Sequence, residues 1–135
     1  MPKKAYSPMS TTPSLVPVIW IGSSRGDLRS CPEPVKDVMG RGLLEAQLGY
    51  FPTIGKRLKG QLGGLVELVE DADGGTYRGV YTAKLAGAIY VLHVYQKKSK
   101  KGIATPKHEV DLILERLKRA KEDHAERFGK KGGKK

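Results

Sequence analysis

The segment YQKKSKKGIATPK, residues 95–107, joins an apolar stretch to an amphipathic one and so decides how the chain leaves its sheet. Residues 89–95 before the junction are apolar on both faces, which is typical of a central strand. Four of the five positions 97–101 are lysine, and like charges this close together repel one another. A bound polyanion relieves that repulsion, so the junction indicates a surface for nucleic acid.

The residues after the junction predict a C-terminal helix. We expect Thr105 to act as the N-cap and Pro106 to occupy the first helical position. Apolar residues then recur at helical spacing, which predicts a helix whose apolar stripe packs against the sheet: Val110, Ile113, Leu114, Leu117 and Ala120.

Composition supports a nucleic-acid partner and excludes several other classes. The 135 residues include 25 Lys+Arg and 14 Asp+Glu, for a net charge of +11, which is typical of nucleic-acid binders and of proteins with a strongly acidic partner. Cys31 is the only cysteine and the three histidines lie in different segments, so we expect neither an intrachain disulfide nor a metal or other cofactor. No apolar run approaches the roughly 20 residues of a membrane span, and no secretory signal is evident. The expected compartment is the cytoplasm.

The chain divides into a loose N-terminal arm at residues 1–14, one domain at residues 15–127 and a basic flexible tail at residues 128–135. Within the domain, an apolar strand is predicted over Leu15–Ile21. We expect Asp27 to cap a short helical turn after that strand.

A longer helix is predicted from Pro34 to about Leu48, and the basic stretch Gly55–Gly60 fits a short helix or turn. Three strands then form a meander at residues 65–70, 76–84 and 88–95. The predicted order is therefore β-α-α-β-β-β-α, an α+β fold with a small, mostly antiparallel sheet and a C-terminal amphipathic helix.

A basic, hydroxyl-bearing group of residues is the best candidate for chemistry. Arg78 lies on the middle strand of the meander, while His93 and Tyr95 share a face of the next strand, which Lys97 and Lys98 follow. Cleavage of RNA by its own 2′-hydroxyl needs a base, an acid and cations around the transition state, but no metal. An arginine fork suits the phosphate, and a lysine among other cations is a candidate base.

Further cations are candidates for contacts with RNA phosphates: Lys56, Arg57, Lys59, Lys100 and Lys101. Plainer roles remain open for the candidate catalytic residues. Arg78 could form a surface ion pair with Glu67 or Glu70, and His93 could be a hydrogen-bonded core residue. Tyr95 could simply pack.

Several segments together resemble the RelE/ParE toxin superfamily, and most of all its phage-derived, HigB-like branch. They are VIWIGSS at 18–24, LVELVED at 65–71, TYRGVYT at 76–82, YVLHVYQKKSK at 90–100 and IATPK at 103–107. The resemblance covers residues 16–122 and implies a RelE-like fold. It also implies the toxin of a type II toxin–antitoxin pair, which cuts mRNA in the ribosomal A site and is neutralised by a helix-turn-helix antitoxin.

The resemblance also suggests roles for individual residues. It implies phosphate contact by Arg78, charge stabilisation by Lys97 and Lys98, and proton transfer or base stacking by His93 or Tyr95. Many relatives carry an arginine where this chain has Val69, so the activity transfers better than any single role. Two other functions stay open on the same fold: a ParE-like gyrase poison that is not an enzyme, and a phage protein that binds RNA or an antitoxin without cutting.

Overall fold

The computed structural model describes residues 15–72, 74–98 and 105–129. The predictions for the N-terminal arm, for Lys100 and Lys101, and for the tail from residue 130 onward lie outside the described residues.

One five-stranded sheet forms the centre of the described chain, with the strands in the order β1-β5-β4-β3-β2. Strands β3, β4 and β5 form an antiparallel meander, β2 pairs antiparallel with β3, and β1 pairs parallel with β5. The strands are β1 (Val18–Trp20), β2 (Gly55–Arg57), β3 (Leu65–Ala72), β4 (Gly75–Thr82) and β5 (Ile89–Lys97). Because β5 is paired on both sides and buried from Ile89 to Val94, the prediction of a central strand is confirmed.

Helices cover both faces of this sheet. They are α1 (Ser24–Arg29), α2 (Glu33–Gln47) and α3 (Lys107–His124). On one face, Met39 and Leu43 of α2 pack with Leu68 of β3. On the other face, Ile113 of α3 packs with Leu92 of β5. The predicted α+β fold, with its mostly antiparallel sheet and C-terminal amphipathic helix, is confirmed.

The basic stretch that was expected to form a helix or turn is instead the edge strand β2, followed by a 3₁₀ turn at Gly60–Leu62. Its three residues carry no strand pattern of their own, and they become extended because they pair with β3. The prediction for Gly55–Gly60 was therefore wrong for its first half. Pairing between distant segments, which local sequence does not report, decided the outcome.

Three predicted boundaries also need correction. The first strand spans only Val18–Trp20 and so is shorter than Leu15–Ile21, and Val16 bonds to Gln47 at the end of α2. Asp27 lies inside α1, where its carboxylate accepts a 2.7 Å hydrogen bond from the Ser23 hydroxyl. Pro106 has an extended ψ of 149° and precedes α3, so the helix starts one residue later than predicted and Thr105 does not cap it.

None of the helices in the described ranges is long and apolar enough to cross a membrane.

Candidate active site

Polar side chains gather on the face of the sheet that α3 covers. The register of the strands aligns Glu67 of β3 with Val80 of β4 and His93 of β5, and aligns Arg78 of β4 with Tyr95 of β5. Residues directly opposite each other on neighbouring strands have Cβ atoms about 5 Å apart, and Glu67 and His93 lie on either side of Val80. We call the set Glu67, Arg78, His93, Tyr95 and Lys97 the polar cluster.

An ion pair between Arg78 and Glu67 forms the middle of the cluster. The Arg78 guanidinium Nη1 lies 2.7 Å from Glu67 Oε1, and its Nε donates a 3.1 Å hydrogen bond to the Thr76 hydroxyl. Arg78 is only 9% exposed and Glu67 only 1%. The sequence pointed to Glu67 as one of two partners but placed the pair at the surface, whereas the fold buries it. A buried ion pair adds little to stability, so its presence calls for another explanation.

His93 is held by the first turn of α3. Its Nε2 lies 2.5 Å from Glu109 Oε1, and its ring stacks on Tyr95 with the ring centroids 4.7 Å apart and the planes 16° apart. The shared face predicted for His93 and Tyr95 is therefore observed, and His93 has the hydrogen bond expected of a core histidine. Glu109 was not foreseen as its partner, and only its place in the first turn of the predicted helix hinted at a position near the end of β5.

Three atoms of the polar cluster are buried without any hydrogen-bond partner in the described part of the chain: Glu67 Oε2, His93 Nδ1 and the Tyr95 hydroxyl oxygen. Most buried polar atoms in proteins are hydrogen-bonded, so three exceptions in one place are unusual.

Burial also changes the acidity of the Tyr95 phenol. Burial foremost, and then the nearby charge of Glu67, raise the pKa of Tyr95 to about 12. The side chain of Thr105 and the charge of Arg78 oppose this increase only in part. The phenol therefore keeps its proton throughout the neutral pH range and can act as a proton donor.

The lysines at the end of β5 differ in their surroundings. Lys97 is the last residue of the strand, faces Thr76 across the pair and is 9% exposed. Lys98, the next residue, is exposed. Lys97 thus belongs to the polar cluster, while Lys98 lies at its surface.

The other predicted RNA-binding cations are divided between the two faces of the sheet. Lys56 is aligned with Glu67 and so lies on the same face as the polar cluster. Arg57 is aligned with Val66 on the opposite face, where its guanidinium carbon lies 4.3 Å from the centre of the Phe51 ring. Lys59 precedes the 3₁₀ turn and is exposed. The structure therefore does not bring the three cations to the cluster together.

Other kinds of site find less support in the residues that the structure describes. The described residues include no group of three His, Cys, Asp or Glu side chains arranged to bind a metal ion. Burial raises the pKa of the Cys31 thiol, which donates a 3.4 Å hydrogen bond to the Asp27 carbonyl and is a poor nucleophile in that state. A carboxylate, an imidazole, a phenol and two cations remain, which together suit proton transfer at a phosphodiester.

Comparison with known proteins identifies the family to which this chain is similar. The model of a family described as "Phage derived protein Gp49-like (DUF891)" matches residues 26–118, a range that includes the whole polar cluster and Glu109. No curated protein matches the chain significantly. Among solved structures, a chain of the toxin–antitoxin complex RelBE2 from Mycobacterium tuberculosis is 20% identical over 64% of this chain and 95% of its own, with a TM-score of 0.41. A similarity this low carries no information about activity.

Proposed function

Because the chain belongs to the phage-derived Gp49-like family, a RelE/HigB-type toxin family of toxin–antitoxin systems, we propose that it is a metal-independent, ribosome-dependent mRNA endonuclease. The observation that carries this proposal is the group of three polar atoms, on the same face of the sheet as Arg78, that are buried without a hydrogen-bond partner among the residues that the structure describes. Leaving such atoms unpaired costs about 1–3 kcal/mol each, and sites of proton transfer are where proteins tolerate that cost.

Two of these atoms, together with the Arg78 guanidinium, act in RNA cleavage by the neighbouring 2′-hydroxyl. The unpaired Glu67 oxygen accepts the 2′-hydroxyl proton, and the resulting 2′-oxygen attacks the phosphorus. Arg78 donates to the non-bridging oxygens as negative charge develops on them. The protonated Tyr95 phenol gives its proton to the departing 5′-oxygen, leaving a 2′,3′-cyclic phosphate and a free 5′-hydroxyl. Glu67 takes the role of base that the sequence gave to a lysine.

His93 is the alternative acid in this scheme. Its Nε2 is engaged by Glu109, so the unpartnered Nδ1 is the ring atom left for the substrate. The stacked Tyr95 and His93 rings face the same part of the site, and replacing each in turn will separate their contributions.

Burial of the cluster supports the requirement for a ribosome. The three unpartnered atoms expose almost no surface, so free RNA in solution does not reach them. Binding to the ribosome would supply the free energy for opening the cluster and for positioning the mRNA. The proposed neutralising partner is an antitoxin that is acidic where it meets this cationic chain, with the helix-turn-helix DNA-binding domain that the family resemblance implies.

Primer extension on a reporter mRNA in a reconstituted translation reaction tests the proposal, with and without ribosomes. We expect new cuts within codons only when ribosomes are present, and no cuts from a folded Glu67→Gln variant. Cuts without ribosomes would contradict ribosome dependence, and intact mRNA in both reactions would contradict the nuclease.

One observation favours a second candidate function, in which the protein binds without cutting. Arg78 and His93 each face a carboxylate within 2.7 Å, so the Arg78 charge is largely compensated inside the fold and the His93 Nε2 atom is already engaged. A binder of gyrase or of RNA has no need of free catalytic cations. Inhibition of gyrase supercoiling, together with intact mRNA, would support that function.

A further inference from the structure

A second surface, on the opposite face of the sheet from the polar cluster, displays aromatic side chains beside cations. Tyr50 is 67% exposed and Phe51 is 44% exposed, both in the connection between α2 and β2. The Arg57 guanidinium lies over the Phe51 ring. Exposed aromatic residues in a group are unusual at the surface of a protein and mark binding sites.

The connection that carries these rings is firmly held. Glu45 of α2 accepts hydrogen bonds from the Thr53 backbone N–H at 2.8 Å and from the Thr53 hydroxyl at 3.1 Å. The Phe51 ring lies so close to Gly55 that a Cβ atom there would come within 3.1 Å of it. The Tyr50 backbone N–H also donates to the Glu45 carbonyl at 2.9 Å. The fold therefore holds the Phe51 ring and the backbone at Tyr50 in place, which lowers the entropic cost of binding a partner through them.

A cleft of about 440 Å³ opens beside the rings. Its lining is mainly apolar and includes Val66, Tyr81 and Ile89, with Arg57 at its side. A flat aromatic group can enter such a cleft while a charged group attached to it meets Arg57 and the cations nearby.

The charges favour a polyanion as that partner. Lys56, Arg57 and Lys59 form no ion pair with a carboxylate in the ranges that the structure describes. Glu45, a carboxylate beside this connection, accepts hydrogen bonds from Thr53 instead. Aromatic rings for stacking, combined with cations along the backbone path, are the two components of a single-stranded nucleic-acid site.

We propose that Tyr50, Phe51 and Arg57 form a stacking site for an unpaired nucleobase of RNA, with Lys59 contacting a flanking phosphate. The site lies on the opposite face of the sheet from the polar cluster. The nucleotide that it binds is therefore not the one whose phosphodiester is cut. This inference rests on the proposed function in one respect, namely that both surfaces are proposed to bind RNA. The edge strand β2, with Lys56 on one face and Arg57 on the other, lies between the two surfaces.

Fluorescence polarisation with a labelled twelve-nucleotide 2′-O-methyl oligouridine tests the site, because that probe has no 2′-hydroxyl and cannot be cut. We expect Tyr50→Ala to weaken binding about tenfold, within the range for loss of one stacked base, and Tyr50→Trp to retain it. Leu44→Ala, which removes another exposed apolar side chain, is the matched control and should bind like the unaltered protein.

Salt dependence separates stacking from charge. Tyr50→Ala should leave the slope of log affinity against log salt unchanged, whereas Lys59→Ala should reduce its magnitude by about 0.7. Failure of the unaltered protein to bind the probe, or unchanged binding by Tyr50→Ala, would overturn the proposal. Loss of antitoxin neutralisation by Tyr50→Ala with RNA binding intact would assign the surface to a protein partner instead. Absence of mRNA cleavage would contradict the proposed nuclease but would leave this binding result standing.

Discussion

Arg78 and Glu67 depend on each other because both are buried. Removing one partner leaves the other as an uncompensated charge in the interior, which costs about 3–5 kcal/mol. An inactive Arg78→Ala protein is therefore not proof that Arg78 acts in catalysis, since the fold is weakened as well.

We expect Arg78→Ala to lower the free energy of unfolding by about 3–5 kcal/mol and to abolish growth arrest. Adding Glu67→Gln to it should restore most of that stability, because the uncompensated carboxylate is gone, without restoring growth arrest. Urea unfolding and growth assays on the single and double variants measure both effects. An Arg78→Ala protein of unaltered stability would show that the pair is unimportant to the fold, and a toxic double variant would remove both residues from the mechanism.

Tyr95 and Tyr90 offer a matched comparison, since only one of the two buried hydroxyls is bonded. The Tyr90 hydroxyl donates a 2.6 Å hydrogen bond to Asp123, whereas the Tyr95 hydroxyl has no partner in the described ranges. We expect Tyr95→Phe to be at least as stable as the unaltered protein and to cut mRNA more slowly. Tyr90→Phe should lose about 1 kcal/mol of stability and cut at the normal rate. Urea unfolding and single-turnover cleavage test the pair, and the reverse pattern would contradict the role assigned to Tyr95.

Helix α3 is attached to the sheet at three points along its length. Glu109 bonds to His93 near its start, and Arg116 donates to the Leu92 carbonyl at 2.9 Å in its middle. Near its end, Asp123 accepts hydrogen bonds from Tyr90 and Arg127. The helix therefore fixes one wall of the polar cluster, and its stability bears on the function of the site.

The attachment at Asp123 should depend on pH. The Tyr90 hydrogen bond above all, and then Arg127, lower the pKa of Asp123 below its ordinary 3.8. Since the folded pKa is depressed, this contribution to stability is complete above 3.8 and is lost as the pH falls through the lower folded value.

We therefore expect Asp123→Asn to be less stable at neutral pH and to lose stability less steeply as the pH falls from neutral to below 3.8. Asp111→Asn, which removes a solvent-exposed ion pair with Lys107 on the same helix, is the control and should follow the unaltered protein closely. Urea unfolding over this pH range measures the difference. Parallel pH curves for Asp123→Asn and the unaltered protein would contradict the linkage.

Local patterns predicted the elements that carry their own signal, and contacts between distant segments decided the rest. The apolar spacing of α3 and the continuous apolar run of β5 were sufficient to predict both elements. Strand β2 was missed because only its pairing with β3 makes it extended. A shift of register between Val80 and Tyr81 alters which β5 residues face α3, and no local sequence pattern predicts that shift.

The sequence predicted most residues of the candidate site but few of the contacts between them. His93 and Tyr95 share a face, as alternation along one strand implied, and the pairing of β4 with β5 brings Arg78 and Lys97 to the same face. Glu109 joins them from a helix that begins after residue 106, a contact that chain order does not reveal. The exposed Tyr50 and Phe51 drew no attention in the sequence, because exposure depends on how α2 and β2 are placed.

At the scale of the whole molecule, the sheet separates two cationic surfaces and the net charge of +11 attracts polyanions to both. A ribosome presents RNA over an extended surface, so a protein with contacts on two faces can be held there at more than one point. A gyrase poison, in contrast, would need only one surface, which would be complementary to gyrase.

These alternatives differ in which process stops first in a cell that expresses the protein. We expect methionine incorporation to fall before thymidine incorporation after induction, because the polar cluster and the cationic surfaces both suit RNA. Pulse labelling at short intervals measures the order. The Glu67→Gln variant keeps the shape of the side chain but lacks the proposed base, and, once its folding has been verified, it should leave both rates unchanged. Earlier arrest of thymidine incorporation would identify DNA replication as the target, and arrest of translation by Glu67→Gln as strong as that by the unaltered protein would show that binding alone is sufficient.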